Sequence, residues 1–273
     1  MTVSDAPSGT ACRYTETLLA AHGIGRLPVP APGANWSAVD PAPVPETWGE
    51  MSPPDDGESR ALYRWLLGHH GAVGVWRMLG DTLSRLVEEP SSDRLRDVAA
   101  GLYDCYSALL VYAGSCTPGI YERAVRDRMV AAHPAFSGIW ARDYEWVLGL
   151  LVRMPALPGS TLKQAVLRNR QVHMAIAKRL VPNDDSLLKK AGRRANQGAT
   201  AEERDLFDEF FVLERGPTSR ARFLAHVAQR VSAIETDLDR YPLEPTSGLH
   251  LLLPADMSTL VRSIAADPSW ETP

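Results

Sequence analysis

Two stretches carry the residues best suited to chemistry. Leu62–Leu86 reads LYRWLLGHHGAVGVWRMLGDTLSRL and contains the adjacent histidines His69 and His70. Thr161–Leu180 reads TLKQAVLRNRQVHMAIAKRL and contains one, His173. A neutral imidazole can bind iron, or hold and pass a proton near neutral pH. In the second stretch Leu162, Ala165, Val166, Asn169, Val172, His173, Ile176 and Leu180 recur at helical spacing, so His173 is expected on the apolar face. In the first, His69 shares a stripe with Trp65, Leu66, Val73 and Trp76. His70 diverges from it by about 100°, toward Leu67 and Gly74. A histidine on an apolar face is more often a satisfied core residue than a ligand. Two of them on separate inward-facing helices point to a pocket with a group bound between, a haem first of all.

A third stretch, Tyr121–Tyr144, reads YERAVRDRMVAAHPAFSGIWARDY. Its Arg123, Arg126 and Arg128 suit the clamping of a carboxylate. Phe136 and Trp140 could wall an aromatic ring, with Ser137 and Tyr144 beside them. The plainer alternative is a packed inter-helix loop with ordinary surface charge. Other catalytic schemes are missing: there is no G-x-S-x-G, phosphate-cradling glycine loop, H-E-x-x-H or E-x-x-H pair.

The elements that must position these residues are helices. Asp56 and Ser59 open a long helix that runs to about Pro90, interrupted by Gly68, Gly71, Gly74 and Gly80. Glycine inside a helix costs roughly 1 kcal/mol relative to alanine, so four call for a reason. Close approach of another backbone or of a flat ligand would supply it, and a macrocycle is such a ligand. Further helices are expected over 92–114, 120–132, 143–154, 161–180, 200–214, 218–241 and 257–266, with a short basic segment over 186–198. The segment 135–146 reads as an aromatic loop. Leu249–Leu253 is the best strand candidate and a weak one. The class is all-α, a single helical domain over 56–273. Residues 1–12 are small and polar and are expected to be disordered, with a short helix over 14–22. Residues 1–55 form a proline-rich arm, with eight prolines between Pro28 and Pro54 and the tryptophans Trp36 and Trp48. The tryptophans favour an arm lying over the helical body or over a second subunit of a homodimer, rather than a solvated linker.

Composition sets the outer limits. Of 273 residues 45% are hydrophobic, enough for a sizeable core, and net charge is −4 with no basic or acidic block. Nucleic acid is not expected as a partner, nor a membrane. The three cysteines fit no zinc pattern and no C-x-x-C-H attachment site, and a reducing cytoplasm is expected.

Three segments taken together, LYRWLLGHHGAVGVWRML, YERAVRDRMVAAHPAFSGIWARDYEWV and NRQVHMAIAKRLVPNDDSLL, resemble the bacterial haem-dependent L-tyrosine 3-hydroxylases. These belong with the tryptophan 2,3-dioxygenase-like haem-dependent aromatic oxygenases of natural-product pathways. The resemblance runs over most of residues 58–190, in matching order. It implies a helical fold around a haem b with a histidine axial ligand, at the position of His173. It implies a distal histidine at His69, with the doubled His70 beside it. It implies a substrate pocket near Arg126, Ser137, Trp140 and Tyr144, an aromatic amino acid such as tyrosine as substrate, and hydrogen peroxide or O2 as oxidant. Some relatives attach haem through H-x-x-x-C; here the fourth position after His173 is Ala177, so non-covalent haem is expected.

Overall fold

The helix Gly57–Glu88 (α2) is the axis of the molecule. It begins where the Asp56 carboxylate accepts from the Ser59 N–H at 2.8 Å. From His70 to Gly80 every residue is buried, so this is a helix wrapped on all sides and not a two-faced one. Around it pack Asp93–Ala113 (α3), Arg142–Arg153 (α6) and Arg220–Arg240 (α10), while Thr161–Leu180 (α7) packs on α3. Side-chain caps start α3 at Ser92, α7 at Ser160 and α10 at Ser219. A full capping box, Thr200 with Glu203, starts Ala201–Phe210 (α9). Leu187–Lys190 and Met257–Ala266 complete the helices C-terminal to α7. The computed structural model describes residues 7–39, 51–154, 160–182, 186–194, 197–243 and 252–266, and its architecture is all-α.

Between α3 and α6 the chain runs Pro118–Ile120 (α4), Tyr121–Arg126 in π-helical form, then Asp127–Ala132 (α5). The π turn presents Tyr121 and Arg126 inward together with Ala124 and Val125. Such widened turns recur at functional sites. The expected aromatic loop after it holds a short 3-10 turn, Gly138–Trp140, and the start of α6.

The glycines of α2 answer to neighbouring helices and not to a flat ligand. A Cβ on Gly68 would stand 2.8 Å from the Ala113 Cβ and 3.2 Å from the Leu109 carbonyl oxygen of α3. Gly71 meets the Leu109 side chain, Gly74 meets Val227, and Gly80 lies under the Trp146 ring. The expectation of a macrocycle seated on these glycines is therefore corrected: they let three helices approach the axis closely. Gly68→Ala should destabilise the fold by about 1–3 kcal/mol, because overpacking against backbone outweighs the roughly 1 kcal/mol gain in helix propensity. The urea midpoint measures this.

The helix expected over 14–22 is present but starts earlier, within residues expected to be disordered. Pro7–Ala21 is a helix (α1), because Ala11, Cys12, Thr15 and Leu19 bury at steps of one, three and four against the body. Leu27–Val29 (β1) pairs in parallel with Leu213–Arg215 (β2), a pairing of strands too short to show alternation. The rest of the described arm lies on the helical body. The Trp36 ring packs 5.1 Å from Phe223, and the Arg77 guanidinium sits 4.4 Å over it. Arg77 also donates to the carbonyls of Ala31 and Ala34 at 2.9 and 2.8 Å. Pro41, Pro43, Pro45 and Trp48 lie outside the described residues, as do residues 1–6 and Leu249–Leu251 of the strand candidate. Leu252 and Leu253 are not in a strand.

Candidate active site around His69 and His173

His69 is half-buried on α2, and its Nδ1 donates to the Trp65 carbonyl at 2.6 Å. A carbonyl oxygen only accepts, so the proton sits on Nδ1 and Nε2 carries a bare lone pair. This backbone bond is the one that commonly sets the tautomer of metal-bound or acid–base histidines. The Phe211 ring stacks on the imidazole at 4.3 Å and 13°, and the Trp65 ring lies 4.6 Å away on a tilt. Burial pulls the His69 pKa down to about 4; the neighbouring His173 adds to that, while the bond to Trp65 opposes it. His69 is thus a neutral base near neutral pH.

His173 is near enough for its charge to be felt at His69. It sits at the shoulder of the α7 stripe and not within it: Val172 and Ile176 are buried, whereas His173 is exposed. The inward placement expected from spacing is corrected accordingly. Surrounding protein still pulls its pKa down. The donors here are imidazoles, and no cluster of three or more His, Cys, Asp or Glu side chains able to hold an ion occurs among the described residues. Such a sparse, neutral nitrogen set suits an iron already held by a macrocycle better than a bare ion that needs four ligands. The Trp65 indole N–H, buried beside His69 with no hydrogen-bond partner, is a donor available to a bound group.

His70 points the other way and is fully engaged. Its Nε2 donates to the Phe211 carbonyl at 2.5 Å, and its Nδ1 accepts from Arg230 Nε at 3.3 Å. Both nitrogens are used inside the fold, so His70 supports the site and presents nothing to a substrate.

The other expected residues do not all gather. Arg126 is buried in the π turn, 3.6 Å from the Glu122 carboxylate. Its neighbour Tyr121 packs edge-on against Trp65 at 5.4 Å, which puts this turn one ring away from His69. Ser137 caps the 3-10 turn by accepting from Ile139 N–H at 3.4 Å. It lines an open groove of about 410 Å³ with Phe136, Ile139, Leu187 and Leu188. Phe136 lies 6.1 Å from Phe211, and Phe211 stacks on His69, so a chain of two rings links the groove lining to His69. Trp140 is core, packed on His133 and Phe136 at 5.2 and 5.3 Å. Tyr144 stands apart, 5.2 Å from Trp76 and 6.1 Å from Tyr106, with Trp76 seven residues beyond His69 on α2.

Sequence reasoning missed Phe211 and Arg230. The run FDEFF, Phe207 to Phe211, was the available signal, because three phenylalanines at a helix end imply a dense aromatic contact. Val212, next to Phe211, has φ 54°, a costly conformation for a β-branched residue. Its carbonyl accepts from the Leu27 N–H at 3.1 Å, which helps hold the strained turn.

The model of the SfmD 3-methyl-L-tyrosine peroxygenase family matches residues 9–166. The chain belongs to that family. Peroxygenases are oxidoreductases, so the family is one of enzymes. The peroxygenase match spans His69, His70, Arg126, Ser137, Trp140 and Tyr144, and it ends before His173 and Phe211. No curated protein matches the chain. No helix among the described residues is long and apolar enough to cross a membrane.

The cluster also fixes a pH response. Burial, and then the adjacent Arg230 charge, pull the His70 pKa to about 3 and the His226 pKa to about 4, from 6.5 when unfolded. Between pH 6.5 and 4 the unfolded chain therefore binds more protons, and stability falls as pH falls. Each histidine contributes at most ~1.4 kcal/mol per pH unit; His69, drawn down to about 4, adds a third, and Asp81, pushed up to about 6 by burial, offsets about one, so the net slope should be roughly 3. Urea midpoints at pH 7, 5.5 and 4.5 should show it, and His226→Gln should remove about one proton from the slope.

Proposed function

We propose that this protein is a haem-dependent hydroxylase of L-tyrosine or a ring-methylated tyrosine, giving a catechol for natural-product biosynthesis. The reading is carried by one observation. In a chain of the 3-methyl-L-tyrosine peroxygenase family, His69, with its Nε2 bare, and the exposed His173 lie on separate helices near enough for the charge of one to be felt at the other. The overall reaction takes one oxygen from hydrogen peroxide into a ring C–H adjacent to the phenol; the O–O bond breaks and the second oxygen leaves as water. Haem b, bound without a thioether because Ala177 stands four residues after His173, would be held by His173 and would activate the peroxide, which supplies the oxidising equivalents. The kinship with tryptophan 2,3-dioxygenase-like oxygenases is part of the same proposal.

The chain's own residues do the remaining work. His69 Nε2 accepts the phenol or peroxide proton and returns it, a role suited to a base that is neutral at working pH. Phe211 and Trp65 hold the His69 ring in place and keep water from its faces. Arg126 balances the carboxylate of the amino acid or of the cofactor from the π turn. Ser137 and Phe136, which line the groove, shape the approach of the aromatic ring, with Trp140 packed behind them and Tyr144 of α6 acting against Trp76 further along α2.

The test is titration of the purified protein with haemin. A saturable Soret band, lost in His173→Ala, is expected, followed by a 16 Da mass gain on 3-methyl-L-tyrosine or tyrosine with peroxide. No Soret band at any haemin concentration would overturn the proposal.

A further inference from the structure

Arg230 lies at the centre of α10 and is essentially fully buried. No ion pair joins it to a carboxylate among the described residues. Its hydrogens go to neutral acceptors instead. Nε donates to His70 Nδ1 at 3.3 Å, and one terminal nitrogen donates to His226 Nδ1 at 3.2 Å and to the Gln229 side chain. The other donates to the carbonyls of Gly25 and Arg26, at 2.6 and 3.1 Å. A buried guanidinium solvated only by neutral groups is costly, and it is kept where its geometry has a use.

The use is legible from donor and acceptor rules. Arginine nitrogens only donate. His70 Nδ1 must then be bare, and its single proton must sit on Nε2, where it is donated to the Phe211 carbonyl at 2.5 Å. The Phe211 ring stacks on His69, whose proton sits on the opposite nitrogen, Nδ1. The two adjacent histidines thus hold opposite tautomers, and the left-handed turn at Val212 is pinned from both sides, by His70 at Phe211 and by Leu27.

We propose that Arg230 is a positioning residue: it locks His70 in the neutral Nε2–H tautomer and thereby sets the Phe211 ring that holds His69 in its working orientation. The lock stands on the hydrogen bonds alone. Its catalytic consequence rests on the function proposed above. Gly25 and Arg26 share the same cation, so the segment after α1 is tied to the site as well.

The experiment is long-range 1H–15N correlation of the histidine rings in haem-free protein with 15N-labelled histidine. His70 is assigned by loss of its signals in His70→Gln. In the wild type at pH 7, His70 is expected with a bare Nδ1 and a protonated Nε2, and His69 with the reverse. In Arg230→Met, His70 should become a mixture of tautomers and the His69 signals should shift with it, while Arg230→Lys should restore part of the wild-type pattern. A destabilised but otherwise unchanged site would leave both rings unmoved. A folded Arg230→Met with unaltered His70 and His69 signals overturns the proposal. If Arg230→Met does not fold, the wild type still decides: an Nδ1–H or doubly protonated His70 refutes the lock. Because the protein is free of haem, the outcome is independent of the haemin titration. A positive lock with no Soret band would leave the tautomer assignment standing and remove the oxygenase reading.

Discussion

His69→Ala should lower the rate of ring hydroxylation by about 10²–10⁴-fold, the usual contribution of a placed acid–base group. Haem binding should survive the change, because the proposed iron ligand is His173 on a different helix. The expectation is specific to this imidazole. Its Nδ1 is committed to Trp65 and its Nε2 is bare, so the ring offers one reactive nitrogen in a fixed direction. The fold should tolerate the loss better than loss of His70, since among the described residues the His69 ring hydrogen-bonds within its own helix turn, whereas His70 spans α2, α10 and the Phe211 turn. The measurements are product mass in peroxide assays and the Soret absorbance of the same sample. An unchanged rate with haem bound would remove His69 from the chemistry. Loss of the Soret band in His69→Ala, with retention in His173→Ala, would exchange the two roles.

The largest effect on stability is expected at Asp237. Its carboxylate is wholly buried and accepts from Arg64 Nε at 2.6 Å. Arg64 also donates to the Tyr241 carbonyl at 2.5 Å and to Ser115 Oγ at 3.2 Å. One guanidinium thereby joins α2, the end of α3 and the end of α10. Asp237→Ala leaves that cation buried without its counter-charge, which costs roughly 3–5 kcal/mol. For a chain of this size the melting temperature should fall by about 10 °C, as read by circular dichroism. Converting both partners to apolar residues of similar size, Arg64→Met with Asp237→Leu, should recover much of the loss, because no uncompensated charge remains. A double variant as unstable as the single one would show that packing, and not charge, dominates there. Arg64 lies five residues before His69 on α2, so loss of the pair should also loosen the site that α2 carries.

The sequence determined the all-α class and the main helices, because those signals are local. Periodicity and capping residues place α2, α3, α7, α9 and α10 to within a few residues, and Met257–Ala266 with its expected bounds. The same local logic singled out the two histidine stretches as the candidate chemical centre. It went wrong where a partner elsewhere in the chain makes the choice. Glycines in α2 have the same appearance whether a helix or a macrocycle fills the space beside them; only Ala113, Leu109, Val227 and Trp146 decide between those. The three-residue strands β1 and β2 stabilise each other across more than 180 residues, too short and too distant to leave a pattern. Adjacent histidines cannot be ranked by spacing. Tertiary structure ranked His69 and His70 through the acceptor each nitrogen finds: the Trp65 carbonyl for one, Phe211 and Arg230 for the other. A tautomer is set by hydrogen-bond partners in space, and for His70 those partners come from α10 and the Phe211 turn, more than 140 residues further along the chain.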